Sequence, residues 1–482
     1  MRQKPNLVFI MPDQLRADFL SCYGAGFIDT PHIDGLALQG LRYERAYSPS
    51  PLCVPARCTL LTGRNAVTNG VLTNERFLRP DLAGGGIHTW PELLAGAGYA
   101  TAAIGKMHFY PWELSMGFEH RVICEDKRWL DVDDDYQRHL QEHGYRKMHG
   151  NEHEGYQENR GAFVHQVPLE HSWDRFVGDE ACRYIREQDG DEPFAMMVGF
   201  PGPHCPYDPS PEYLDLFDEN EMPPSIPDAG LTPQLLEDRV ASNKGAWNGV
   251  DYTEFDETHK RRIRTHYAAL VKQIDDEVGA ILQALRSTGR WEETVVIFCS
   301  DHGDHLGDHG LIGKGDFYEA SIKVPLLVRL PWSHDATTVE GFASIGDITA
   351  TLLALAGCPL PSYMDSQPLP GLGLPGAPTR ERIFGFLASG CMNFDGTWKL
   401  VRYANGEELL FNLDEDPTEQ TNRLADPACS DTLRRLDAEL TREWMRSVNA
   451  ANTDKIVAHH PLYNDKEYGK KGWQRPYPQT FP

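Results

Sequence analysis

Residues 6–11 read NLVFIM, and the fold turns on this stretch. A continuous apolar run of that length fits a strand buried on both faces of a parallel sheet, because a sheet with one wet face alternates apolar and polar residues. Runs of the same kind recur at Tyr99 to Ile104, Phe194 to Phe200 (FAMMVGF), Thr294 to Cys299 (TVVIFC) and Val324 to Leu330. Helical patterns lie between them: a Pro-started helix after Asp29, one around Trp90 to Leu94, and one near Asp179 to Glu187. In the stretch 259–289, Ile263, Tyr267, Leu270, Ile274, Val278, Ile281 and Leu285 repeat at helical spacing and read as core. Strands alternating with helices specify an α/β fold whose large, mostly parallel central sheet is flanked by helices.

In open α/β sheets ligands collect beyond the carboxyl ends of the strands. The runs above end in Pro12-Asp13-Gln14, in Gly105-Lys106-Met107-His108, and in Pro201-Gly202-Pro203-His204. The run to Cys299 ends in SDHGDHLGDHGLIGKGDFYEA, which supplies Asp301, His302, Asp304, His305, Asp308, His309 and Lys314. Taken singly, Asp13 is equally a cap or turn residue, and Lys106 with His108 is a solvated pair. An acid and a histidine directly behind a core strand favour a metal site over a solvated loop.

Residues 48–64 read SPSPLCVPARCTLLTGR. The prolines hold the incoming chain extended, Pro55 is tolerated in a first helical turn, and Thr59 to Thr62 continue a helix that stops at Gly63. Cys53 then stands at a helix N-terminus, where free N–H groups favour an anion, and Arg57 returns to the same face one turn on, able to fork two hydrogen bonds onto it. A lone cysteine before an apolar helix is otherwise a small buried hydrophobe. Cys58 and Arg64 carry the C-x5-R spacing of thiol phosphatases, but Thr-Leu-Leu-Thr-Gly between them reads as helix interior rather than a phosphate cradle.

Cys53-x-Pro55-x-Arg57 followed by Leu60-Leu61-Thr62-Gly63-Arg64 resembles the signature of type I, formylglycine-dependent sulfatases of the alkaline phosphatase superfamily. SCYG at 21–24 and the block after Cys299 are similar to that family too, and GKMHF at 105–109 resembles choline sulfatases. The resemblance implies oxidation of Cys53 to formylglycine by a maturation enzyme. It also implies one divalent cation, Ca²⁺ or Mn²⁺, held by Asp13, residue 53, Asp301 and His302. A hydrated aldehyde oxygen would attack the sulfur of a small-molecule sulfate ester, aryl sulfate or similar. Arg57, Lys106 and Lys314 would neutralise its oxygens, His204 with Lys314 would protonate the leaving group, and His108 would take a proton back. The neutral Gln14 where many sulfatases carry a second acid, and Asn74, look like substrate-binding groups of phosphonate monoester hydrolases. That makes phosphonate monoester or phosphodiester hydrolysis the alternative activity, and a non-catalytic metal- or anion-binding protein the remote one. His302 replaces an amide by a nitrogen donor and moves the metal preference from Ca²⁺ towards Mn²⁺.

A formal charge of −25 over 482 residues excludes nucleic acid as a partner and requires any anion site to carry its own cations. No run approaches the ~18 apolar residues of a membrane span, and the opening MRQKPNLVFIMPDQ is too short in its apolar part for a signal peptide. The expected compartment is the cytoplasm, with most of the ten cysteines free. Residues 1–375 are expected to form the catalytic domain, with a Pro/Gly-rich linker over 359–378. Residues 376–450, where RIFGFL, TWKLVRY and EELLFNL precede a last helix, are expected to form a small α+β subdomain with an antiparallel sheet. The tail 451–482 has no period and is expected to lie extended over the body or over a neighbouring subunit, a route to a homo-oligomer. The acidic, aromatic stretch 124–172 holds six histidines from His139 to His171 at irregular spacing, and reads as a polar lid or specificity insert rather than a metal tract.

Overall fold

The computed structural model describes residues 4–188, 190, 192–246, 249–375, 377 and 379–452. The extended tail expected beyond Asn452 lies outside the described residues. The large sheet has eight strands: β1 (Asn6–Asp13), β2 (Leu41–Tyr47), β3 (Ala100–Gly105), β4 (His120–Ile123), β5 (Phe194–Pro203), β6 (Thr294–Cys299), β7 (Leu326–Arg329) and β8 (Thr337–Ser344). Their spatial order is β4-β3-β5-β1-β6-β7-β2-β8. All neighbours are parallel except β7, which runs antiparallel to both β6 and β2.

β1 lies in the middle of this sheet, paired with β5 on one side and β6 on the other. Because successive side chains of a strand point to opposite faces, Val8 and Ile10 enter one core while Leu7, Phe9 and Met11 enter the other. That two-sided burial is why NLVFIM shows no alternation. The first core is covered by the 31-residue helix Glu257–Ser287, about 46 Å long at 1.5 Å per residue, and by the helix Trp173–Glu187. The second is covered by the helices Cys53–Thr62, Trp90–Gly96 and Asp347–Leu355.

A separate antiparallel sheet follows, with β9 (Ile383–Leu387), β10 (Gly390–Phe394), β11 (Trp398–Tyr403) and β12 (Glu408–Asn412) in the order β12-β11-β10-β9. Its apolar face, including Met392, Phe394, Val401 and Phe411, packs on Tyr47, Phe317, Tyr318, Ile322 and Phe342 of the large body. Lys399 of β11 is fully buried between Glu319 at 2.9 Å and Glu419 at 2.6 Å, so a charged bridge crosses the same interface. The Pro/Gly-rich run expected as a linker is packed rather than loose: Asp365 and Ser366 donate their backbone N–H groups to the Gly63 carbonyl at 2.9 and 3.0 Å. Among the described residues no helix is long and apolar enough to cross a membrane.

Candidate active site

The carboxyl ends of β1, β3, β5 and β6 converge with the start of the helix Cys53–Thr62. Cys53 is the first residue of that helix, with Leu52 extended before it and Gly63 in the left-handed conformation after it. Val54 N–H donates to Asn74 Oδ1 at 3.0 Å, so Asn74 satisfies one of the helix's free amides beside the nucleophile position. Gly105 turns the chain out of β3 with φ +93°, and a Cβ there would collide with the Gly199 carbonyl oxygen of β5. The close approach of the two strand ends brings Lys106 inward.

Asp13, Cys53, Asp301 and His302 are completely buried, and each offers one ligand atom within 4.8 Å of the others. His302 Nε2 lies 3.2 Å from Cys53 Sγ, 3.7 Å from Asp301 Oδ1 and 3.9 Å from Asp13 Oδ1. Its Nδ1 sits 3.0 Å from the Gly303 carbonyl, which can only accept, so the proton is on Nδ1 and the Nε2 lone pair faces the cluster. Two carboxylates, a sulfur position and a neutral imidazole form a donor set that fits a divalent cation.

The surrounding cations are ordered by the acids. Arg57 donates from Nε to Asp301 Oδ2 and from Nη2 to Asp13 Oδ2, both at 3.0 Å, and from Nη1 to the Lys106 carbonyl. Its fork therefore spans the two acids, where the sequence suggested that it closes directly on a bound anion. Lys106 Nζ stands 2.8 Å from both Asp13 Oδ2 and Asp126 Oδ2. Burial pushes the Asp13 carboxyl up, but Lys106, His204 and Arg57 outweigh it and hold it well below the usual carboxylate range. His108 is buried against Trp129 with ring centroids 4.7 Å apart. Its Nε2 lies 3.6 Å from Asp126 Oδ2, and neither ring nitrogen is hydrogen-bonded to a described residue.

On the far side, Lys314 Nζ is 2.6 Å from His204 Nε2 and also donates to Gln14 Oε1. His204 Nδ1 faces the Cys205 carbonyl at 2.6 Å, so Nδ1 carries the proton and Nε2 accepts from Lys314. Burial, with Lys314 and Arg128 alongside, keeps this imidazole well below its ordinary range and therefore neutral. Gln14, at φ +70°, donates its amide to Asp304 Oδ2, which also accepts from Tyr207 Oη at 2.7 Å. His305 pairs with Asp316 at 2.9 Å, Asp308 with Arg16 at 2.6 Å and with Arg264, and His309 stacks on Tyr318. These four are structural supports of the loop.

Asp126 and Arg128 were hidden within the stretch read as an insert. They follow the short edge strand β4, whose HRVI text is half polar, and the sequence CEDKR behind it is the signal that a fifth strand tip was present. Arg128 donates to Asp126 Oδ1 at 2.8 Å and its Nη2 lies 3.3 Å from His204 Nε2. Cys58, by contrast, sits inside the helix, and burial pushes its thiol up to about 12, far from the thiolate that a phosphatase needs. The mouth of the site is a cavity of 130 Å³ lined by Gln14, Arg128, Tyr207, Arg239, Tyr252 and Lys314. A larger cleft of 680 Å³, between Arg16, Glu319 and Phe394, is lined by none of Asp13, Cys53, Arg57, Lys106, Asp301 and His302.

The sulfatase family model matches residues 5–358. A choline-sulfatase of Rhizobium meliloti is 30% identical over 449 residues, spanning 88% of this chain and 83% of that protein. An arylsulfatase of Clostridium perfringens is 28% identical over 500 residues, spanning 95% and 98%. Among solved structures, the phosphonate monoester hydrolase of Agrobacterium radiobacter superposes with a TM-score of 0.78 over 92% of this chain and 96% of that one, at 24% identity.

Proposed function

Since this chain belongs to the sulfatase family, we propose that its strand-tip cluster hydrolyses a sulfate monoester through residue 53, converted from cysteine to formylglycine by a maturation enzyme, beside one divalent cation. The observation that carries this reading is the convergence of Asp13, Cys53, Asp301 and His302 within 4.8 Å, ringed by Arg57 and Lys106. Asp13, residue 53, Asp301 and His302 would hold the cation, and the nitrogen donor moves the preference from Ca²⁺ towards Mn²⁺. When present, the cation supplies charge neutralisation at the sulfate oxygens and the hydrated aldehyde supplies the attacking oxygen. Lys106 and Lys314 add fixed positive charge on either side, and Arg57 keeps the two acids aligned.

The hydrogen-bond directions support the following division of the proton work. Lys314 Nζ delivers the proton to the leaving oxygen, and neutral His204 aims it by accepting at Nε2. His108, whose ring nitrogens are not hydrogen-bonded to described residues, takes the proton from the hydroxyl at residue 53. Arg128, Arg239 and Lys314 at the mouth disfavour a quaternary ammonium and support an aryl leaving group over choline. Ten unbridged cysteines support a reducing compartment, which we assign to the cytoplasm.

Peptide mass spectrometry tests the first premise: oxidation of Cys53 to the aldehyde lowers the residue mass by about 18 Da. Assays with p-nitrophenyl sulfate, choline sulfate, a phosphonate monoester and a phosphodiester then separate the activities. Cys53→Ala is expected to lower sulfate turnover at least ~10³-fold while Cys58→Ala leaves it nearly unchanged. Loss on Cys58→Ala alone overturns the assignment. The neutral Gln14 supports phosphonate monoester hydrolysis as the second activity, and a higher kcat/KM on that substrate would make it the first.

A further inference from the structure

The segment that contributes Asp126 and Arg128 to the active site continues into the helix Asp135–Glu142, and a second cluster of ligating side chains forms where that helix ends. His139 lies in its last turn, His143 caps it, and His171 ends the short 3₁₀ turn Leu169–His171 that leads into the helix Trp173–Glu187. His139 and His143 are four residues apart and share a helix face. The three rings crowd together, with centroids 4.6 Å apart for His139 and His143, 5.0 Å for His139 and His171, and 4.2 Å for His143 and His171.

Their nitrogen atoms are arranged as donors to a metal. His139 Nε2 and His171 Nδ1 face each other at 3.0 Å. Two nitrogens on a tetrahedral zinc, at about 2.05 Å each, are separated by about 3.3 Å, so this pair is already close to ligand spacing. The hydrogen that one of them carries between the rings moves to that ring's other nitrogen when a metal takes its place, so no proton need leave. His143 Nδ1 lies 2.8 Å from the His139 carbonyl oxygen, which can only accept. His143 therefore carries its proton on Nδ1, and its Nε2 lone pair is free in the tautomer that metal sites require. One nitrogen from each of the three lies within 4.8 Å of the others, and His143 is exposed enough to close the remaining gap by rotation.

The setting holds two of the three in place. Tyr136 Oη donates to the His171 carbonyl at 2.8 Å, and His139 packs against Phe176 with centroids 5.0 Å apart. His139 and His171 are half-buried, so a fourth coordination position faces solvent. Irregular spacing in the sequence concealed the triad because His171 arrives on a different element.

We propose that His139, His143 and His171 form a second metal site that binds a first-row divalent ion, Zn²⁺ foremost, with water as the fourth ligand. Three imidazoles and no carboxylate select such ions over Mg²⁺ and Ca²⁺. The bound ion clasps the helix Asp135–Glu142 to the start of Trp173–Glu187 and closes the loop 144–170 between them. It thereby fastens the segment whose beginning supplies Asp126 to Lys106 and Arg128 to His204.

Tag-free protein stripped by a chelator and titrated with Zn²⁺ tests the site by calorimetry, beside Asp301→Asn and His143→Ala. Two Zn²⁺ equivalents are expected for the parent and one for each variant, with the equivalent retained by Asp301→Asn lost when His143→Ala is added. Cobalt reports the same geometry: intense visible absorption of a tetrahedral ion is expected in Asp301→Asn, and its loss when His143→Ala is added. Limited proteolysis within 144–170 is expected to slow several-fold with Zn²⁺ in the parent and in Asp301→Asn, and not in His143→Ala. His143 is exposed, so its removal leaves the fold intact, as unchanged circular dichroism checks. Equal stoichiometry and affinity in His143→Ala and the parent, or a single site abolished by Asp301→Asn, overturns the proposal.

Discussion

The floor and the mouth of the active site are built on different principles. On the floor, Asp13, Lys106 and Asp301 come from strand tips and Arg57 from within the buried helix Cys53–Thr62, and they are locked to one another at 2.8 to 3.0 Å with almost no solvent exposure. At the mouth, Arg128 and Lys314 stand on loops and Arg239 on the helix Gln234–Ser242, all partly exposed. The floor is a set of charges whose positions determine one another, so it can be preorganised for one kind of anion. Arg128 and Arg239 at the mouth can be exchanged one at a time, which suits them to selecting the leaving group in the proposed reaction.

The sharpest way to break this contrast is at Arg57. Arg57→Met leaves two buried carboxylates facing each other, and a loss of about 3–5 kcal/mol in unfolding free energy is expected, together with activity, in denaturant titrations. A mild effect would mean that the floor charges are independent. Asp126→Asn weakens the hold on Lys106 without removing it; kcat is expected to fall about 100-fold while KM changes little. Rescue by Asp126→Glu would show that the charge, and not the exact reach, is what matters.

A charge remote from both regions calibrates them. Burial pushes the Glu277 carboxyl up to about 8, above its ordinary 4.5, although Arg175 pulls it down. The folded state therefore keeps a proton that the unfolded state loses above pH 4.5, so this group's contribution to stability falls as pH rises from about 4.5 to 8. Glu277→Gln removes that slope. The variant is expected to gain on the order of 4 kcal/mol over the parent at pH 8 and almost nothing at pH 4.5, as thermal melts across this range check. The smallest effect is expected at the mouth: Arg128→Gln should change kcat/KM for p-nitrophenyl sulfate by about threefold or less, and shift the ratio between aryl and choline esters towards choline. A loss as large as that of Asp126→Asn would move Arg128 into the floor.

The same contrast decides what the sequence could reveal. NLVFIM, FAMMVGF and TVVIFC were legible as central strands because both faces are buried, and the polar residues behind them were legible as strand tips. The edge strand β4 was not, since an exposed strand of four residues carries no apolar run, and Asp126 was hidden with it. The direction of β7 was equally invisible, because burial on both faces looks the same in either orientation. Asn74 illustrates a third limit: the resemblance proposed a substrate contact, and the structure adds a bond that spacing did not show, from Val54 N–H at the start of the helix to its Oδ1. Which partner a polar side chain takes depends on packing between distant segments, and spacing along the chain does not encode it.

Lys399 gives the small sheet a role beyond cover. Its ammonium sits in the interior of the joint, held by one acid from each side, Glu319 of the body and Glu419 of the loop after β12. Cutting the chain ahead of β9 would strand Glu319 without its cation and bare the aromatic face around Tyr47 and Phe342. The two sheets are thus a single inheritance: a graft that brings a new C-terminal sheet to this body must bring its own lysine to meet Glu319, or replace both together.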